Sequence, residues 1–140
     1  MSGGPGDAVR PLLIVDGANV VGSVPDGWWR DRRGAAVRLR DALVPVASGG
    51  LAAREGVPDW AVSAALDVVL VVEGAARGVP SVPGVAVASA PGSGDDLIAE
   101  LAAEVPAGRC CLVVTADRGL RARVTSSGAH TTGPRTVRPA

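Results

Sequence analysis

Three runs of the chain are apolar at nearly every position: LLIV (Leu12–Val15), DVVLVVE (Asp67–Glu73) and CCLVVT (Cys110–Thr115). None alternates apolar with polar, so each reads as a strand buried on both faces of a parallel sheet. VAVASA (Val85–Ala90) is a weaker fourth strand, and AHTT near the end adds a fifth. Between them the apolar spacing changes to three and four. Ala36, Leu39, Leu43 and Val46 predict a helix over Asp31–Val46, and Leu97, Ile98, Leu101, Ala102 and Val105 predict one over Asp95–Val105. Asp95 and Asp96 fall in the first turn of that second helix, where negative charge suits the helix dipole. A last short helix is expected over Arg118–Val124, while Gly49-Gly50, Gly56-Val57-Pro58 and the Gly78–Gly84 segment punctuate as loops. Strands alternating with helices imply an α/β fold, a three-layer sandwich around a mostly parallel central sheet of four to five strands.

With 140 residues the chain suits one domain, expected over residues 11–138 behind a flexible leader at residues 1–10. The leader has no hydrophobic signal region, and no run reaches the roughly 20 apolar residues of a membrane span. A cytoplasmic protein without a membrane partner is the expectation. There are three Trp and no Phe or Tyr, so the core is built from Val, Leu, Ile and Ala. That composition counts against readers that stack RNA bases on rows of aromatic rings. Cys110 and Cys111 are neighbours on a strand and so face opposite ways, which favours small core residues over a disulfide or shared metal ligation.

The formal net charge is zero, which by itself speaks against a nucleic-acid partner. The distribution changes that picture. All fourteen basic residues are arginine, the side chain best shaped to grip phosphate. Five of the fourteen acids fall at strand ends or a helix start: Asp16, Glu73, Asp95, Asp96 and Asp117. Setting those aside leaves nine acids against fourteen arginines, an excess of five positive charges elsewhere.

In a parallel α/β sheet, function collects beyond the carboxyl ends of the strands. Carboxylates crowded there repel one another and raise each other's pKa. A hard divalent cation relieves that repulsion, since Mg²⁺ and Mn²⁺ prefer oxygen ligands and are satisfied by one or two carboxylates with waters and phosphate oxygens. Such a site acidifies water and stabilises charge on phosphate. Asn19, just past Asp16, is placed to orient a water or touch phosphate; Thr115 is a hydroxyl donor to a carboxylate; Arg118 and Arg121 are candidates for holding the substrate backbone. Each acid alone also has an ordinary structural role, since Asp before Gly makes turns and Asp at a helix start caps it. It is their joint placement at one edge that points to a site.

IVDGANVVG (Ile14–Gly22) resembles the opening motif of the NYN domain, a branch of the PIN-like nuclease superfamily, and in particular its bacterial YacP-like members. GSGDDLIAELA (Gly92–Ala102) is similar to the family segment in which a small residue and Asp open an amphipathic helix. VVTADRGLRARV (Val113–Val124) is similar to its strand-Thr/Ser-x-Asp-Arg segment, and SSGAHTTGPRT to its closing stretch. The resemblance runs in order from about Leu12 to Arg138, apart from the Gly-rich Ala47–Val62 section, which fits no segment of the family. It implies a PIN-like fold with Asp16, Asp95 and Asp117 as metal-site acids, Asp96 as a fourth, and Asn19 as the motif asparagine. Glu73 matches only loosely.

Other features are weaker. Arg30, Arg32, Arg33, Arg38 and Arg40 crowd the first long helix, equally suited to gripping RNA or to forming a solvated face. A ring of Trp28-Trp29 stacked on a base would contribute ~1–3 kcal/mol, but burial under the loop is the plainer expectation, and Trp60 reads as core. The single His130 supports no His triad or zinc site, and Gly92–Gly94 lacks the Lys-Ser/Thr of a P-loop. The reading that unites these features is an Mg²⁺/Mn²⁺-dependent endoribonuclease with RNA as partner, a homodimer being left open. The rivals are an RNA-binding or protein-interaction module without turnover and a small-nucleotide phosphohydrolase.

Overall fold

The computed structural model describes residues 9–138, so most of the expected leader, residues 1–8, lies outside the described residues. Five strands form one sheet: β1 (Leu12–Asp16), β2 (Asp67–Val72), β3 (Val85–Ser89), β4 (Cys111–Val114) and β5 (His130–Thr132). All four pairings are parallel, in the order β3-β2-β1-β4-β5. The sheet is therefore wholly parallel and has the larger of the two expected strand numbers.

Among the described residues four α-helices cover it: α1 (Gly17–Val21), α2 (Arg32–Gly49), α3 (Gly94–Ala103) and α4 (Arg118–Ser126). Successive strand residues alternate between two cores, as a pleated strand requires. Leu13, Val15, Leu70, Val72, Leu112 and Val114 pack with Val20, Leu39 and Leu43 of α1 and α2. Ile14, Val71 and Val113 pack on the other face with Ile98, Leu120 and Val124 of α3 and α4. Burial on both faces explains the unbroken apolar runs, and the three layers follow from it.

The expected helices are present with shifted ends. Asp31 lies just outside α2 and caps it, its Oδ1 accepting from Gly34 N–H at 2.9 Å. That helix continues past the exposed Pro45 to Gly49. The short α1 is not among the helices that the apolar spacing predicts. It forms because Gly17 lets the chain lie directly on β2: a Cβ there would stand 2.5 Å from the Val71 carbonyl oxygen.

Arg33, which stays exposed, and Arg40, which is partly buried, hold a loop against α2. Arg33 donates to the Arg77 and Gly78 carbonyls at 3.0 and 3.3 Å, and Arg40 to the Pro80 carbonyl at 3.0 Å. Trp60 is half-buried against the first core and meets His130 edge-on at 5.7 Å. Trp28 and Trp29 divide their roles: Trp28 packs against the core, whereas Trp29 is 51% exposed. Cys110 and Cys111 are free, and burial pushes the Cys111 thiol up to about 11, against a smaller opposing pull from Arg109. A thiol so poorly ionised is inert packing.

Candidate active site

The strand order reverses at β1: the chain runs β1, β2, β3 in one direction and then returns to place β4 on the other side of β1. Ligand crevices in such sheets open at that reversal. Val15 pairs with Val114, so Asp16 and Thr115 leave the sheet side by side at this point.

A continuous hydrogen-bond network holds them. Thr115 Oγ1 donates to Asp16 Oδ2 at 2.9 Å and accepts from the Asp117 N–H at 3.1 Å. Asp16 Oδ1 accepts from the Asn19 N–H at 3.3 Å, which makes Asp16 the cap of α1. The Asn19 side-chain oxygen in turn accepts from the Ala116 N–H at 2.9 Å. Asp117 caps α4 through Leu120 N–H at 2.8 Å. The DGAN motif thus braces the loop after β4, and the expected role of Thr115 as hydroxyl donor to a carboxylate is realised on Asp16.

Asp16 is 3% exposed, one of three buried polar or charged residues among those described. Burial raises its pKa most; the bonds from Thr115 and Asn19 lower it, and the charges of Asp95 and Glu73 raise it further. Asp95 is also raised, first by burial and then by Asp117 and Glu73, with Arg123 opposing. These side chains feel one another's charge, so the structure gathers Asp16, Glu73, Asp95 and Asp117 at one edge.

Glu73 has a definite place that its sequence context left open. Its Oε1 accepts from the Gly94 N–H at 3.2 Å, at the start of α3. A Cβ at position 94 would lie 2.7 Å from that oxygen, which accounts for glycine in GSGDD.

The expected four-acid ligand set is not assembled in full. Asp96 is turned outward, its side chain 69% exposed and paired with Arg123 at 3.1 Å. It follows Asp95 directly, and one residue on a helix turns a side chain by about 100°. Among the described residues no group of three His, Cys, Asp or Glu side chains is disposed to hold a metal ion by itself. The remaining acids are hard oxygen donors, and the pKa values of Asp16 and Asp95 are raised, first by burial and then by neighbouring carboxylates. They fit a cation of the Mg²⁺ kind, held by one or two carboxylates and completed by water and phosphate, rather than a closed protein cage. An exposed pair such as Asp96–Arg123 contributes little. On the ribonuclease expectation, Asp96→Asn should change RNA cleavage by no more than about twofold, roughly 0.5 kcal/mol. A cleavage time course would show it; a loss as large as that from Asp95→Asn would put Asp96 back among the essential acids.

The candidate substrate residues separate as well. Arg121 is half-committed to structure, its Nε donating to the Thr115 carbonyl at 2.8 Å. Arg118 is exposed and, among the described residues, makes no hydrogen bond or ion pair. A cleft of about 440 Å³ opens beside Ala116, lined by Ser23, Arg54, Thr132, Arg135 and Arg138. Arg54 comes from the Gly-rich section that matched no motif; only the general excess of arginine hinted at it. Arg138 is tied to Asp26 and to the Val21 carbonyl, and Arg54 donates to the Arg135 carbonyl at 3.0 Å.

No family model matches the chain, and no curated protein matches it in sequence. Solved structures do share its fold. Rae1 (YacP) from Bacillus subtilis superposes with a TM-score of 0.67 at 20% identity, over 90% of this chain and 70% of that one. A mutant of the same protein gives 0.61 at 18% identity, over 91% of this chain and 72% of that one. The similarity of the sequence to YacP-like NYN domains is therefore borne out in three dimensions: this chain has the parallel α/β fold of Rae1 (YacP).

Proposed function

We propose that the chain is a divalent-metal-dependent endoribonuclease. The observation that carries this reading is Asp16, buried at the sheet's reversal point and bonded to Thr115 and Asn19, with the charges of Asp95 and Glu73 acting on it and Asp117 joined to it through Thr115. A buried carboxylate surrounded by others is costly to keep charged, and a cation offsets that cost. Asp16, Asp95 and Asp117 would hold it. When bound, it would supply acidified water and charge neutralisation at the phosphate.

The remaining chemistry belongs to the chain's own groups. Thr115 keeps Asp16 oriented, and outer partners of this kind matter by roughly 10–100-fold in metal affinity or activity. Asn19 spends its oxygen on Ala116, so its amide nitrogen is the atom left to meet a phosphate oxygen or the attacking water. Arg135 supplies positive charge in the cleft beside Ala116, which gives a polyanion a path away from the acids, and the exposed Arg118 adds charge two positions from Ala116. No helix among the described residues is long and apolar enough to cross a membrane.

The direct test is cleavage of end-labelled single-stranded RNAs with Mn²⁺ or Mg²⁺, with and without EDTA. Internal cuts that EDTA abolishes are expected. Tight RNA binding indifferent to EDTA, with no cleavage in any RNA, would instead identify a binding module, a reading that the open arrangement of the acids also accommodates.

A further inference from the structure

Of the tandem Trp28-Trp29, folding consumes only one ring. Both residues belong to a single 3₁₀ turn, Trp28–Arg30, just before α2. Trp28 packs on the first core, whereas Trp29 meets it at right angles, ring centroids 6.0 Å apart, and keeps 51% of its surface in solvent. Among the described residues three large hydrophobic side chains are exposed, and the other two, Val9 and Val44, have no ring. The free charges around the turn are cationic. The Arg30 guanidinium lies 5.9 Å from the Trp29 ring centroid and that of Arg32 lies 5.4 Å from the Trp28 centroid, within reach of cation–π attraction. Neither arginine forms an ion pair among the described residues. The acids of the same segment are engaged elsewhere, Asp26 with Arg138 and Asp31 with the start of α2. The turn is also tied to the acid site through α1. Asp16 caps the start of that helix, whose five residues span about 7.5 Å, and the Trp28 ring packs just beyond its end, 3.7 Å from where a Cβ on Gly22 would stand.

We propose that Trp29, flanked by Arg30 and Arg32, is a stacking platform for one base of single-stranded RNA at the α1 side of the acid site; the inference rests on the nuclease reading for its substrate. An exposed indole offers flat apolar surface, and every base has a π-face to lay on it, so the contact tolerates any sequence. Arg30 and Arg32 are the cations for the phosphates next to that base, and a planar guanidinium matches phosphate oxygens in pairs. Protein partners also bury exposed tryptophans. The occupant of this patch, however, must bring negative charge to two unpaired guanidinium groups, and RNA carries a phosphate at every nucleotide. The absence of Phe and Tyr does not stand against this, because one ring at the rim anchors a base without the row of rings that sequence readers use. Holding a base here sets where the strand lies relative to the acids, which is a positioning role.

The test is equilibrium binding, by fluorescence anisotropy in EDTA, of a labelled all-uridine hexaribonucleotide and of a hexamer with the same ribose-phosphate backbone and no bases. Trp29→Leu keeps an apolar side chain without a ring, and Trp29→Phe keeps a ring. Trp29→Leu is expected to bind the uridine hexamer about tenfold more weakly than the wild type does, the size of one base stack. Trp29→Phe should recover most of that affinity, and the abasic hexamer should bind the wild type and Trp29→Leu equally. Arg30→Gln should weaken both hexamers and lower the salt slope of log Kd by about 0.7, the value for one phosphate of a single strand. Unchanged affinity of Trp29→Leu for the uridine hexamer would overturn the proposal and leave the patch to a protein partner. An equal loss for both hexamers, Trp29→Phe as weak as Trp29→Leu, a salt slope unmoved by Arg30→Gln, or no binding of either hexamer by the wild type would also overturn it. Failure of the nuclease reading is distinguishable, since no step of this test needs cleavage. Ring-dependent binding of the uridine hexamer in a protein that cuts no RNA leaves the platform standing, whereas RNA cleavage and binding that Trp29→Leu leaves untouched remove the platform alone.

Discussion

Asp16→Asn is expected to abolish RNA cleavage, by at least about 10²-fold, while the sheet stays folded. Asparagine has nearly the same shape and can still accept from the Asn19 N–H, so α1 keeps its cap. What is lost is a negative charge at a residue only 3% exposed. The pH dependence of stability carries the second half of the prediction. The folded-state pKa of Asp16 lies above the ordinary 3.8, chiefly because burial disfavours the charged form. A carboxyl raised in the folded state binds its proton there to higher pH than in the unfolded chain. Its contribution is therefore lost to the native state as pH rises from 3.8 through the raised value, and the penalty is constant above. Asp95 shifts in the same direction. The melting temperature of Asp16→Asn minus that of the wild type should thus increase from acid to neutral pH, without metal. Mn²⁺ at about 100 times its Kd should then stabilise the wild type by about 2.7 kcal/mol and leave the variant unmoved. A flat difference across pH, together with equal Mn²⁺ stabilisation of both proteins, would remove Asp16 from the site.

Gly17→Ala is expected to destabilise the protein by about 1–3 kcal/mol and to reduce cleavage with it. Helix propensity argues the other way, since alanine is favoured over glycine by up to ~1 kcal/mol inside a helix. The contact decides. A methyl group at position 17 would meet the Val71 carbonyl oxygen at 2.5 Å and Leu70 Cδ1 at 3.2 Å. The first of these is strand backbone held in register by β1 and β3, so α1 must shift. That shift moves the Asn19 N–H away from Asp16 and the Asn19 side chain away from Ala116. Gly49→Ala is the matched control, because a Cβ at the end of α2 meets nothing within 4 Å. Its effect should be neutral or slightly stabilising. Urea unfolding of both variants would check the pair, and equal effects would show that the close approach of α1 to β2 does not matter.

Some of the site was written in local sequence. Unbroken runs such as LLIV and CCLVVT can be satisfied only by burial on both faces, so a parallel sheet and three layers follow from pattern alone. Asp16, Asp95 and Asp117 were readable because a strand end or helix start fixes where such a residue emerges. Thr115 was readable for the same reason, two positions before Asp117. The short α1 was not. DGAN spells a turn, and only the backbone of β2, about 50 residues away, shows why Gly17 permits a helix there.

Three-dimensional packing decided the rest. Asp95 and Asp96 are equivalent as letters, yet the rotation of α3 sends one towards Asp117 and the other out to Arg123. The arginines around α2 form one charged run in sequence. In the fold, Arg33 and Arg40 bind loop carbonyls, Arg30 and Arg32 lie over tryptophan rings, and Arg38 is exposed. Glu73 became legible only when Gly94 met it across 21 positions of chain. Sequence by itself determined what each strand buries and which acids end it, because those are matters of local periodicity. The tertiary structure alone decided which charges face each other, since that depends on strand order and helix rotation, to which no stretch of neighbouring residues has access.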